Sequence, residues 1–282
     1  MDAAAKIAVA ILVAPWVGGL LKGIDRKLTA RLQGRVGPPL IQPYYDLFKL
    51  LGKEQILATR HQMAWPAGFL SLTITSLVLL ALGQDLLMIF LILGAAGVFL
   101  VLGALSVKSP YSQFGGHREL LQMFAYEPIL LLVAFVIYKY VGSFMVEDIW
   151  TKKALLPHLW PAFIGLLFAL VIKMRKSPFD IAASDHAHQE IVRGTFTEFS
   201  GPLLAVVELG HWYELAFLYC VLSLFWAHPL WAGALIALGS FLAVILLDNC
   251  AARLTYSLMI RLALGIGFGM AAINFAYLYI VG

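Results

Sequence analysis

Thiols are nearly missing from this sequence. Its two cysteines, Cys220 and Cys250, form no C-x-x-C pair, so a cluster held by four thiolates cannot be built within the chain. Charge is also scarce. Lys, Arg, Asp and Glu make up 13% of the residues, against about 25% in soluble globular domains. Acids are the rarer sign, with 16 Asp and Glu against 20 Lys and Arg. A basic excess in such an apolar chain reports loops on one face rather than a nucleic-acid partner. Low-complexity segments, convincing internal repeats, phosphate loops and nucleophile–base arrangements are all missing. The weak internal symmetry of many secondary transporters is not visible either.

What fills the sequence is long apolar blocks. A membrane span needs about 20 mostly apolar residues. Eight such stretches stand near 4–22, 64–82, 86–107, 128–146, 155–173, 203–227, 230–248 and 258–281. The expectation is an all-α polytopic membrane protein, one domain over 1–282, with loops near 23–63, 108–127, 174–202 and 249–257. Ile7–Leu21 runs into Lys22, Asp25, Arg26 and Lys27 rather than a small-residue cleavage site, so it reads as a helix, not a signal peptide. Basic residues crowd the loops after spans one, three, five and seven. That asymmetry places those loops in the cytoplasm and both termini outside the cell membrane.

Within Pro39–Gln55, Leu40, Tyr44, Leu47, Phe48, Leu50 and Leu51 fall at helical spacing, with Asp46, Lys49, Lys53 and Glu54 on the other side. The pattern suits either a helix lying in the lipid interface or an ordinary surface helix. Upstream, Arg31 and Arg35 flank Gly34 and Gly37 before Pro38 and Pro39. They read as an acid-binding pair or as a topogenic cluster.

In the second long loop, Gly115-Gly116 reads as a turn before a helix starting near His117. Arg118 and Gln122 then share a face, and Glu127 precedes Pro128 where span four begins. A carboxylate at a helix N-terminus favours its charged form. Glu127 is therefore a proton-relay acid or a helix-end charge. The third loop holds Asp180, Asp185, Glu190 and Glu198 against Lys173, Arg175, Lys176 and Arg193, and the balance suggests an ion-pair network. His186 and His188 are weak metal candidates, because a lone H-x-H lacks further ligands.

In span six, Glu208, His211 and Glu214 follow at i, i+3 spacing and share a face. An ionised group at the bilayer centre costs about 2.5–3.5 kcal/mol, so these should face the bundle interior or water. They mark a proton path, or charges satisfied by neighbouring helices. Asp248, Arg253 and Arg261 are candidate partners. Lys139 reads as a snorkelling lysine, and Gly265, Gly267 and Gly269 as a helix-packing stripe.

Several motifs carry a resemblance. The run from Asp25 to Pro38, then Asp46, Lys49, Lys53 and Glu54, resembles the first cytoplasmic loop of the NuoH subunit of respiratory complex I. Arg118, Gln122, Tyr126 and Glu127 resemble its second loop. Pro178-Phe179-Asp180, Glu190-Ile-Val-Arg-Gly and Glu198-Phe199 resemble its third. The third loop is about two residues longer than the complex I pattern, and Ala183 stands where that family has a glutamate. In these respects the chain looks more like the NuoH-related membrane subunit of Ech-type, group 4 energy-converting [NiFe]-hydrogenases.

That resemblance implies a membrane subunit without a redox centre. The nickel–iron centre and iron–sulfur clusters would sit in hydrogenase large and small subunits and a ferredoxin-like iron–sulfur subunit, and an antiporter-like subunit would be its membrane neighbour. The proton path would draw on Glu127, Asp180, Glu190, Glu198, Glu208, His211 and Glu214. Arm docking and the loop network would draw on Arg31, Arg35, Asp46, Lys49, Lys53, Glu54, Arg118, Gln122 and Arg193. A complex I subunit lining a quinone site, a stand-alone secondary transporter and a passive anchor are the competing readings.

Overall fold

A computed structural model describes residues 2–152, 154–182 and 193–281. Among these there are only helices and turns, apart from one isolated bridge between Asp85 and Met145. Eight helical segments are long and apolar enough to cross a membrane.

The first helix, α1 (Ala3–Leu32), runs ten residues past the expected end of span one. It continues because Lys22, Asp25, Arg26 and Thr29 recur at i, i+3, i+4 and i+7, one face of a helix. Each of them finds a polar partner across that face. Gly34 and Gly37 then take the left-handed backbone the sequence suggests, with φ of 74° and 75°. The short helix α2 (Gln42–Leu51) follows. Its apolar residues form one broad arc, opposite Asp46 and Lys49, that is only partly covered by the protein. Tyr44, Leu47 and Leu50 turn inward, whereas Tyr45, Phe48 and Leu51 are exposed, and Asp46 is half-buried.

Helices α3 (Ala64–Leu82) and α4 (Leu86–Leu105) pack on each other as a hairpin. Asp85 caps α4 by accepting from the amides of Leu87 and Met88, the usual N-cap role of that side chain. Helix α5 (Pro110–Val141) spans 32 residues without a break, although Pro128 lies inside it. Here the expected turn at Gly115-Gly116 is overturned. Both glycines are helical and buried, and Gly115 lies against the backbone of Gly194 and Thr195. They serve close packing rather than chain reversal. Glu127 accordingly sits mid-helix, and the helix-end explanation of its charge falls away.

After the short α6 (Val146–Thr151) come α7 (Leu156–Lys173), α8 (Gly201–Ser223) and α9 (Leu230–Cys250). The last span joins α10 (Tyr256–Leu262) through a wide π-turn, Ala263–Phe268, to α11 (Gly269–Val281). The glycine stripe does pack closely at one point, where Gly267 presents its carbonyl to Gly165 of α7. Lys139 rests over the ring of Tyr279 at 5.2 Å. The core lies among α4, α5, α7 and α8, with Leu93, Ile129, Val133, Leu166 and Phe217 fully buried. This core leaves the polar faces of α1, α5 and α8 to converge at the loop end of the bundle.

Candidate functional site

A cavity of about 570 Å³ opens at that loop end, between α1, the turn after α7, α8 and α9. Seven basic and five acidic side chains line it. Most of these charges are compensated within ion pairs or small ion-pair groups. Lys22 of α1 meets Glu208 of α8 at 2.5 Å, and Arg193 approaches the other Glu208 oxygen at 3.6 Å. Lys176 bridges Asp25 of α1 at 2.6 Å and Asp248 of α9 at 3.0 Å. Burial disfavours the charged form of Lys176, but its two carboxylate partners outweigh that and raise its pKa above the ordinary lysine value.

Arg175 is the centre of a second group. Its guanidinium grips both oxygens of Glu119 on α5, at 2.7 and 3.0 Å. Its third donor reaches Nε2 of His211 at 2.8 Å. A guanidinium only donates, so His211 accepts here and its ring is neutral. The rings of Phe69 and Phe196 flank that imidazole, each at 5.2 Å. Burial works against the Arg175 charge, yet the Glu119 carboxylate raises its pKa above the ordinary value. Arg175 also holds φ at 53°, a left-handed conformation that costs a non-glycine residue about 1–2 kcal/mol. The three side-chain bonds keep it there.

Deeper still, Lys173 meets Glu214 at 2.9 Å. Both are nearly inaccessible, at 3% and 8% side-chain exposure. Lys173 also donates to Tyr126 Oη at 3.4 Å and lies 4.7 Å from the centre of that ring. Beyond it a smaller cavity of about 120 Å³ lies between α4 and α5, lined by Phe90, Gly94, Tyr126, Glu127 and Leu130 among others.

The structure thus gathers Glu208, His211 and Glu214 on the wall of one cavity, together with Asp180, Arg35 and Arg193. Asp180 pairs with Arg253 at 3.3 Å. Glu127 stands apart in the smaller cavity. Glu198 lines neither; it is half-buried in the turn before α8, and its backbone carbonyl accepts from Gln62. Arg118 and Gln122 do share a face, and bond the carbonyls of Ile181 at 3.4 Å and Phe179 at 2.5 Å. Lys49 and Lys53 line a third cavity of about 230 Å³ with Asp46 and Glu208. Arg31 and Glu54 are exposed. Glu190, His186 and His188 lie outside the described residues, and among the described residues no group of three metal-ligating side chains forms.

The ion-pair network expected around the third loop reaches into the rest of the bundle: Lys173, Arg175 and Lys176 take carboxylates from α8, α5, α1 and α9. Asp248 and Arg253 are charge partners as well, of Lys176 and Asp180. The acids of α8 take Lys22 and Lys173. Sequence reasoning missed Glu119 altogether, although Glu119, Gln122 and Tyr126 recur at helical spacing on the buried side of α5.

The α1–α2 contact makes one pH-dependent prediction. Arg26 meets Asp46 at 2.6 Å and Gln42 donates to the other oxygen at 3.0 Å. Burial pushes the Asp46 carboxyl up, but these bonds and the Arg26 charge bring it below its ordinary 3.8. A depressed folded pKa contributes stability that is present above the unfolded value and lost as pH falls through the folded one. Amide exchange in α2 should therefore hold steady down to the ordinary aspartate range and loosen only below it, once intrinsic rates are corrected. Asp46→Asn should abolish that acid transition.

A profile of the NADH dehydrogenase family matches residues 5–279. Formate hydrogenlyase subunit 4 of Escherichia coli K12 is 31% identical over 69% of this chain and 68% of its own length. Hydrogenase-4 component C of the same organism is 31% identical over 68% of this chain and 65% of its own length. An NADH-quinone oxidoreductase subunit of Syntrophobacter fumaroxidans is 27% identical over 74% of this chain and 71% of its length. The chain thus spans about two thirds of the length of these relatives. Its fold matches a chain of the membrane-bound sulfane sulfur reductase, an archaeal respiratory membrane complex, with a TM-score of 0.89, 24% identity, and coverage of 99% of this chain and 100% of that one. The resemblance carried by the loop motifs is borne out on both its hydrogenase and its quinone-oxidoreductase side. With nearly its full length matched, the chain belongs to the NADH dehydrogenase family.

Proposed function

We propose that this chain is the membrane anchor and ion-coupling subunit of a ferredoxin-dependent energy-converting [NiFe]-hydrogenase. It would link hydrogen formation in a hydrophilic arm to proton or sodium translocation. The observation that carries this reading is the placement of Glu208 and Glu214. Both lie within a span, and both face an ion-paired cavity rather than the outer surface of the bundle. Intramembrane ionisable groups so placed are a mark of ion pathways. The hydrogenase relatives favour this side of the family. So does the cavity wall, whose twelve charged side chains suit ions better than a quinone ring.

In this reading the loop end faces the cytoplasm and both termini lie outside. Arg31, Arg35, Lys49, Lys53 and Glu54 meet the hydrogenase subunits and a ferredoxin-like subunit, which carry the nickel–iron and iron–sulfur centres. The exposed side of α2 meets lipid headgroups. An antiporter-like subunit lies alongside in the membrane. A charge change in the arm biases two arrangements of the pairs around Arg175 and Lys176, and coupling follows from that difference.

Glu127→Gln and Glu208→Gln, each in the complete complex in proteoliposomes, should leave assembly intact. Ion translocation should fall by about a hundredfold or more, the low end for loss of a positioned proton carrier. Unchanged translocation in both variants removes these residues from the path. The relatives that are NADH-quinone oxidoreductase subunits support a second reading, a quinone-lining subunit. Block of turnover by a quinone-site inhibitor would favour it.

A further inference from the structure

The two cavities that hold the α8 acids and Glu127 meet at one side chain. Among the described residues, Lys173 alone is common to both walls. It ends α7, 4% exposed, and points its ammonium at Glu214. Glu127 on the other side has a buried oxygen, Oε1, without a hydrogen-bond partner. That oxygen lies over Gly94, where a Cβ would stand only 2.7 Å from it. The arrangement is lopsided: one carboxylate holds the cation, and a second sits within the adjoining cavity without a donor on that oxygen.

We propose that Lys173 is a swinging counter-ion and movable wall between the two cavities. This deepens the ion-coupling reading and rests on it. With Glu127 protonated, the ammonium pairs with Glu214, as seen here. With Glu127 ionised, the ammonium crosses the Tyr126 ring to pair with it, and Glu214 is released to the larger cavity. The lysine keeps its three hydrogens throughout. The proton enters and leaves Glu127 through water, so no bond to nitrogen forms or breaks. Tyr126 offers a cation-binding face along the way. Lysine suits the role because its charge is a point on a flexible stem, whereas arginine is a planar fork. The other charges facing this swing are Glu119 of α5 and Arg175, locked to each other. They fix the background field against which Glu127 and Glu214 compete.

The test uses the complete complex in inverted vesicles, with Cys220 and Cys250 changed to Ser and a reporter thiol in the smaller cavity, Leu130→Cys. Leu131→Cys, in the same wall, serves as a second reporter. A charged methanethiosulfonate reagent is added on the loop side. Slow labelling is expected with Lys173 present, and labelling at least about tenfold faster in Lys173→Ala/Glu214→Gln, a pair of changes that leaves no unpaired buried charge. Equal rates with either reporter overturn the wall. Lys173→Arg separates the swing: labelling should stay slow while translocation drops about tenfold, and wild-type translocation in this variant overturns the counter-ion role. A wild-type complex that moves no ion refutes the coupling reading instead, and the labelling result still stands as a measure of the wall.

Discussion

Arg175→Met should destabilise the chain by about 3–5 kcal/mol, the usual result of stripping one partner from a buried ion pair. The loss comes mainly from Glu119, which is 3% exposed and would lose both hydrogen bonds that Arg175 gives its carboxylate. His211 would lose its bond at the same moment. Arg175→Lys should recover only part of the loss, since one ammonium cannot grip both carboxylate oxygens and the imidazole together. Arg175→Met/Glu119→Leu should recover most of it, because no charge is then left buried. The thermal midpoint of the purified chain in nanodiscs reads all three. A double variant no better than the single would show that the pair positions α5 against the turn after α7 rather than satisfying a charge. Arg175→Gly separates a further contribution. It relieves the left-handed backbone at φ 53° but forfeits every side-chain bond, and it should resemble the methionine variant.

Gly18→Val should be nearly as damaging, about 3 kcal/mol, at the upper end of ordinary overpacking. A Cβ at Gly18 would stand 2.8 Å from the Trp212 Cα and would overlap its carbonyl. Backbone cannot give way as a side-chain tip can. The added bulk would wedge α1 from α8, one turn from the Lys22–Glu208 pair, so accessibility of the larger cavity should rise as stability falls. Gly239→Ala in α9 is the control. Nothing lies within 4 Å of its Cβ position, and replacing a helical glycine with alanine should stabilise by about 0.5–1 kcal/mol. If the two variants behave alike in thermal unfolding, the close approach of α1 and α8 is not what holds them together.

The bundle was legible from composition, because an apolar run of span length has few alternatives in lipid. What the apolar criterion could not see is that two helices continue into polar sequence. Past Leu21, α1 goes on because Lys22, Asp25 and Arg26 are satisfied by distant residues, and distant partners leave no local trace. Gly115-Gly116 misled for the same reason: a glycine pair reads as a turn until Gly194 and Thr195 are found lying against it. The α8 triad was legible because three polar groups at helical spacing in an apolar run must share a side. Its partners were not, since any of several bases fitted by charge. Only the fold decides that Lys22 and Lys173, rather than Arg253, arrive there.

The unbroken length of α5 has a mechanical consequence. At about 1.5 Å per residue its 32 residues make a rod of roughly 48 Å. One end is seated on the backbone at Gly194–Thr195, and the other is stopped by Gly142. Pro128 leaves the carbonyl of Phe124 without its helical donor, so the rod's compliant joint falls beside Glu127. A nudge at the seat is therefore delivered as leverage at that joint, with the acid riding on the end of the stiff arm.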